Sequence, residues 1–154
     1  MLYTDYEAIR GCLGIDAEDC PDDVIENSNM WLELEIDLDG WLPTHGTIYS
    51  DGSATGATTD EVKLMNVLQL YAQWFCAYEV AGRLMLFPQI VTDGKAQINR
   101  FPNFKLSEAQ QLAGSRMARY KAWLNEEVNG ASSALQTATI MAVSTPSYDP
   151  VTDT

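Results

Sequence analysis

Positive charge is in short supply. Nine Lys and Arg stand against 22 Asp and Glu, with one histidine, for a formal net charge of −13. A surface this acidic repels phosphate, so free binding to nucleic acid or to an anionic membrane is disfavoured. Cysteine is scarce too. Cys12, Cys20 and Cys76 make an odd count with no CxxC spacing, which argues against a disulfide framework and a zinc site and fits a reducing compartment. The opening residues, MLYTDYEAIRGC, lack a basic start and an apolar core, so no export signal is expected. A membrane span is missing as well. The most apolar stretch, LMNVLQLYAQWFCAYEVAGRLMLFP (Leu64 to Pro88), is interrupted by Asn66, Gln69 and Gln73 and meets its first full charge at Glu79. That falls short of the about 20 predominantly apolar residues that a spanning helix requires. No phosphate-cradling Gly loop, nucleophile elbow or metal-binding His pair occurs. The expectation is a protein that is not an enzyme and holds neither cofactor nor metal.

What is present points to one globular domain. The chain has 154 residues, 46% of them hydrophobic and 20% charged, which is too apolar for disorder and too short for two comfortable domains. Charge is divided along it. Residues 1–60 hold fourteen acids against Arg10 alone, residues 61–130 hold six acids against eight bases, and the last 24 residues add only Asp149 and Asp153.

The expected fold class is mainly α: a small bundle of about four helices, one β-hairpin between the last two, and an extended C-terminal tail. Thr4-Asp-Tyr-Glu7 has the spacing of a capping box and opens a short helix that ends near Gly14. Asp19-Cys-Pro-Asp-Asp starts a second, with Pro21 in its first turn. Within Pro21 to Leu42, LELEIDLD alternates like a strand. At 100° per residue, however, Met30, Trp31, Leu34, Leu38, Trp41 and Leu42 share one face, and β-branched residues are few, so helix is the reading adopted for residues 31–38. Residues 43–58, PTHGTIYSDGSATGAT, read as a long flexible loop. Thr58-Thr-Asp-Glu61 is a second capping box, opening a long helix to about Leu86 on which Glu79 and Arg83 can neutralise each other one turn apart. Apolar residues occupy nearly all its circumference, so the Leu64–Pro88 rod is expected to be too oily to satisfy within a single copy. Residues 89–101 read as a hairpin turning at Asp93 and Gly94. Ser107-Glu-Ala-Gln110 opens the last helix, with Leu112, Ala113, Met117, Tyr120 and Leu124 on one face and Asn129-Gly130 as its end. Residues 1–130 thus form a helical domain and 131–154 an extended arm.

Few residues offer chemistry. Glu35-Ile-Asp37-Leu-Asp39-Gly40 resembles half a calcium loop, but Pro43 and Gly46 occupy positions where the loop needs other residues, and a solvated acidic helix face is the simpler reading. His45 reads as a loop residue and Cys76 as a small hydrophobe. The bases Arg116, Arg119 and Lys121 find an economical partner in the acids Glu33, Glu35, Asp37 and Asp39 of an identical neighbour. Opposite patches on one chain favour head-to-tail association, which closes into rings when the rotation permits.

TDYEAIRGCLGI, PDDVIENSN, LYAQWFCAYEVAGRL and TDGKAQINRF, in this order and followed by a final helix, resemble the head–tail connector (adaptor) proteins of tailed bacteriophages over about residues 3–128. The strongest pieces are the opening Tyr-x-x-hydrophobic-Arg/Gly-Leu-Gly pattern ending at Gly14 and the Asp93-Gly94 hairpin. The 43–58 segment and the tail have no counterpart. The resemblance implies a virion protein at the head–tail interface, assembled in the host cytoplasm. It would form a ring with itself, usually of twelve copies, beneath the portal protein, with tail or nozzle proteins below and DNA passing through without sequence-specific contact. On that reading Thr137, Ala138, Thr139, Ile140, Met141, Ala142 and Val143 either dock as an added strand on the portal or a neighbour, or form a frayed terminus. The competing reading is a small acidic cytoplasmic binding or regulatory protein of DNA-mimic type, acting on a basic partner. An enzyme or metal site around Asp37, Asp39 and His45 ranks last.

Overall fold

The computed structural model describes residues 3–26, 29–86, 90–93, 96–99 and 106–130. Six helices follow one another: α1 (Tyr6–Leu13), α2 (Asp22–Glu26), α3 (Met30–Trp41), α4 (His45–Ser53), α5 (Thr59–Leu84) and α6 (Leu106–Asn129). Between α5 and α6, the four-residue segments β1 (Ile90–Asp93) and β2 (Ala96–Asn99) pair antiparallel, Asp93 facing Ala96.

Local chemistry explains both ends of α1 and the start of α5. Asp5, not Thr4, caps α1, its Oδ1 accepting from the Ala8 amide at 2.7 Å. Glu7 instead pairs with Arg10 at 2.8 Å. Gly14 closes α1 at φ 68°, a left-handed conformation in which a Cβ would be strained. Both halves of the capping box at α5 are formed: Glu61 Oε2 accepts from the Thr58 amide at 2.7 Å, and Thr58 Oγ1 accepts from the Glu61 amide at 3.3 Å. Residues 30–41 are helical because that geometry puts Met30, Leu34 and Leu38 together on the core side. As a strand, their shared even numbering would also have drawn the exposed Leu32 and Ile36 onto that face.

Several expectations need correction. Among the described residues, the class of about four helices with one β-hairpin gives way to a mainly helical body of six helices. A two-stranded, four-residue ladder is too small to define a layer of its own. Gly94 lies outside the described residues, as does the 131–154 arm with Thr137 to Val143.

Residues 43–58 are not a flexible loop, since α4 occupies His45–Ser53 and lies on α5. Its glycine serves contact rather than mobility. A Cβ on Gly52 would sit 2.4 Å from Met65 Cβ and 2.7 Å from the Glu61 carbonyl oxygen, so only glycine lets the two backbones approach this closely.

The long helix is also satisfied within one copy. α1, α3, α4 and α6 all pack on α5, burying Leu68, Tyr71, Ala72, Cys76, Ala77, Val80, Ala81 and Leu84. From Leu64 to Leu84 only Asn66 is exposed. The oily rod has its neighbours inside the same chain. α5 and α6 approach closely at Gly82, where a Cβ would meet Gln110 Nε2 at 2.9 Å. Among the described residues, the large apolar side chains left in water lie elsewhere: Leu32 and Ile36 on α3, Met85 and Leu86 just past α5, and Leu112 on α6. Leu112 therefore departs from the core face expected of it, whereas Ala113 and Leu124 are buried and Met117 and Tyr120 pack against the core.

Candidate functional site

Polar side chains gather where helices meet. Asp37 on α3 accepts three hydrogen bonds. Trp41 Nε1 donates to its Oδ2 at 2.8 Å, the Tyr71 hydroxyl of α5 donates to the same oxygen, and Lys121 Nζ of α6 donates to Oδ1 at 3.3 Å. The Lys121 ammonium also lies 4.6 Å from the centre of the Trp41 ring, a cation–π contact. Burial alone would raise the Asp37 carboxyl, but its three donors outweigh burial and hold it below the usual Asp value. Burial and the Asp37 charge together push the Tyr71 phenol well above its ordinary value. One carboxylate thus joins three helices.

His45 heads α4 and is buried, contrary to the loop position expected. The Tyr3 hydroxyl lies 2.6 Å from its Nδ1, and its Nε2 lies 2.9 Å from Asp39 Oδ1. If Tyr3 donates to Nδ1, the neutral ring carries its proton on Nε2 and donates it to Asp39. Burial first, then the Glu35 and Asp39 charges, raise the Tyr3 phenol. Tyr3 also meets Tyr49 edge-on at 5.1 Å, so this polar string pins the N-terminal segment between α3 and α4.

Arg10, almost fully buried, makes a third join. Its Nε donates to the Cys20 carbonyl at 2.8 Å and its guanidinium pairs with Glu7 and Asp22, tying α1 to α2. Arg83 reaches across to α3, with Nη2 3.5 Å from both Glu33 carboxylate oxygens. Burial and the Glu33 charge raise the neighbouring Glu79 carboxyl, with Arg83 opposing them.

These joins sort the residues expected at a subunit interface. Lys121, Asp37, Asp39 and Glu33 have partners within their own chain. Glu35 on α3 and Arg116 and Arg119 on α6 are exposed. Beside Glu35 stand Leu32 and Ile36, 56% and 63% exposed; beside the two arginines stands Leu112, 47% exposed. α3 carries four acids and no base, while α6 between Ala109 and Asn125 carries three bases and no acid. The charge division read from the chain thus becomes two faces of opposite sign, the acidic one with Leu32 and Ile36 exposed beside its charges and the basic one with Leu112.

The three cysteines are thiols. Burial raises both Cys12 and Cys76, so neither is an activated nucleophile. Among the described residues no group of three His, Cys, Asp or Glu could hold a metal ion, and no helix is long and apolar enough to cross a membrane.

Sequence reasoning missed His45 and the exposed apolar residues. The signal for the first was present: His45, Ile48, Tyr49 and Gly52 recur at i, i+3, i+4 and i+7, the spacing of a packed helix face. For Leu32 and Ile36 it was the strand-like alternation itself, which places leucine and isoleucine on the solvent side of an otherwise well-packed helix. No family model, no curated protein and no solved structure matches this chain.

Proposed function

We propose that this chain is a structural assembly protein, a head–tail adaptor that repeats as a ring between a capsid portal and a tail and surrounds the DNA passage. The observation that carries the reading is the opposition of the α3 and α6 faces. One chain presents an acidic surface with Leu32 and Ile36 exposed and a basic surface with Leu112 exposed, and that pair suits repetition of identical copies. Met85 and Leu86, the latter 85% exposed, give a further apolar point just past α5 where another component can seat. The remaining acidic surface supports a channel role, because it repels phosphates and lets DNA slide.

The order of the sequence motifs and the Gly14 turn resemble the adaptor pattern, and the reading rests on that likeness together with the surfaces. Mass measurement of the purified chain mixed with a phage portal protein tests the proposal. A large symmetric complex with several copies per portal ring is expected. A chain that stays apart from the portal, and instead pairs one-to-one with a basic protein, would favour the DNA-mimic alternative and end the adaptor reading.

A further inference from the structure

Resting on the adaptor reading for its setting but argued from the two faces alone, we infer that the outer face of α3 in one copy docks on the outer face of α6 in the next. Leu32 and Ile36 meet Leu112, and Glu35 meets Arg116 and Arg119.

Four observations carry this. First, the two stripes match in length. Leu32 to Asp39 and Leu112 to Arg119 each cover eight residues, about 10 Å of helix from first to last. Second, both carry exposed apolar side chains, Leu32 and Ile36 on one and Leu112 on the other, which is what a contact needs in order to release water. Third, the flanking charges are opposite, and neither helix has an intervening charge of the other sign over the matched length.

Fourth, the two faces point away from each other within one copy. Lys121, which bonds Asp37, lies nine residues from Leu112, about half a turn around α6. Asp37 lies five residues from Leu32, about 140° around α3. The sides of α3 and α6 that touch inside the chain are therefore not the sides that carry Leu32 and Leu112. A copy cannot satisfy its own α3 stripe with its own α6 stripe, and a second copy that uses one stripe leaves the other open. Such a contact is heterologous and propagates until it closes.

Two full-length variants test the contact. Leu32→Lys with Ile36→Lys removes the α3 face, and Arg116→Glu with Arg119→Glu removes the α6 face. All four residues are exposed, so the far-ultraviolet circular dichroism of both variants should match the parent. Sedimentation velocity over a range of concentration is the readout. The parent is expected to self-associate, and to do so at least tenfold more weakly when sodium chloride rises from about 0.05 M to about 0.5 M, because exposed pairs are screened. Each variant alone is expected to stay monomeric. An equal mixture of the two is expected to give a one-to-one heterodimer and nothing larger, since only one intact α3 face and one intact α6 face remain.

A parent that is monomeric at every concentration overturns the inference. So do variants that associate as the parent does, or a mixture that stays monomeric while the parent associates. None of these results touches the portal-binding test, so a wrong contact and a wrong function are separately visible.

Discussion

Replacing Asp37 by Asn isolates the charge on which the α3–α5–α6 junction turns. The substitution keeps the shape and one acceptor oxygen. If that oxygen faces Trp41 Nε1 and the Tyr71 hydroxyl, the new amide group faces the Lys121 ammonium, donor against donor. Two hydrogen bonds to a carboxylate become neutral ones, a loss of about 1 kcal/mol each. The half-exposed Lys121 contact adds at most about 0.5 kcal/mol, since water can replace it. The total is about 2–2.5 kcal/mol.

Lys121→Met serves as the control. It keeps packing over Trp41 while removing the pair and the cation–π contact, and should cost about 1 kcal/mol or less. Urea unfolding followed at 222 nm measures both.

The pH dependence supplies a second reading. Asp37 is held below its ordinary value in the folded state, so its contribution is present above the unfolded value and lost as pH falls through the folded one. Acid destabilisation below pH about 4 should therefore be shallower in the Asn variant than in the parent. An Asn variant within 0.5 kcal/mol of the parent (about the scatter of surface changes), with an unchanged acid slope, would refute the junction.

Other perturbations follow the same geometry. Gly52→Ala forces a methyl against Met65 and the Glu61 carbonyl and should cost about 1–3 kcal/mol by chemical denaturation, with amide exchange accelerated in α4 before α5. Gly14→Ala places a Cβ at φ 68° and should cost about 1 kcal/mol. Thr58→Ala removes one half of the α5 capping box and should cost about 1 kcal/mol with little effect beyond the first turn. In the folded protein at pH 8, Cys76 should resist a thiol reagent and Cys12 should react slowly, both becoming fast in denaturant.

Where folding decisions are local, the chain could be read directly. The Thr58–Glu61 box, the Gly14 turn and the Gly130 end are each settled by a few neighbouring residues, and the helical face of Met30, Leu34 and Leu38 outweighed an equally visible alternation. Composition misled at 43–58, because glycine and threonine suggest a loop when Gly52 in fact serves close approach to α5. Partners far apart in sequence were not legible at all. Asp37 and Lys121 are 84 positions apart, and nothing in either neighbourhood says that they meet. Without that contact, the acids of α3 and the bases of α6 looked like one uniform pair of patches. The structure divides them into residues that close the chain on itself and residues that face outward.

Cryo-electron microscopy of the portal vertex in intact particles tests the central claim most directly. Repeated six-helix bodies arranged around the DNA passage are expected, the α3 of each against the α6 of the next. Density at that vertex into which this body does not fit, or a single copy touching no sister subunit, would contradict it.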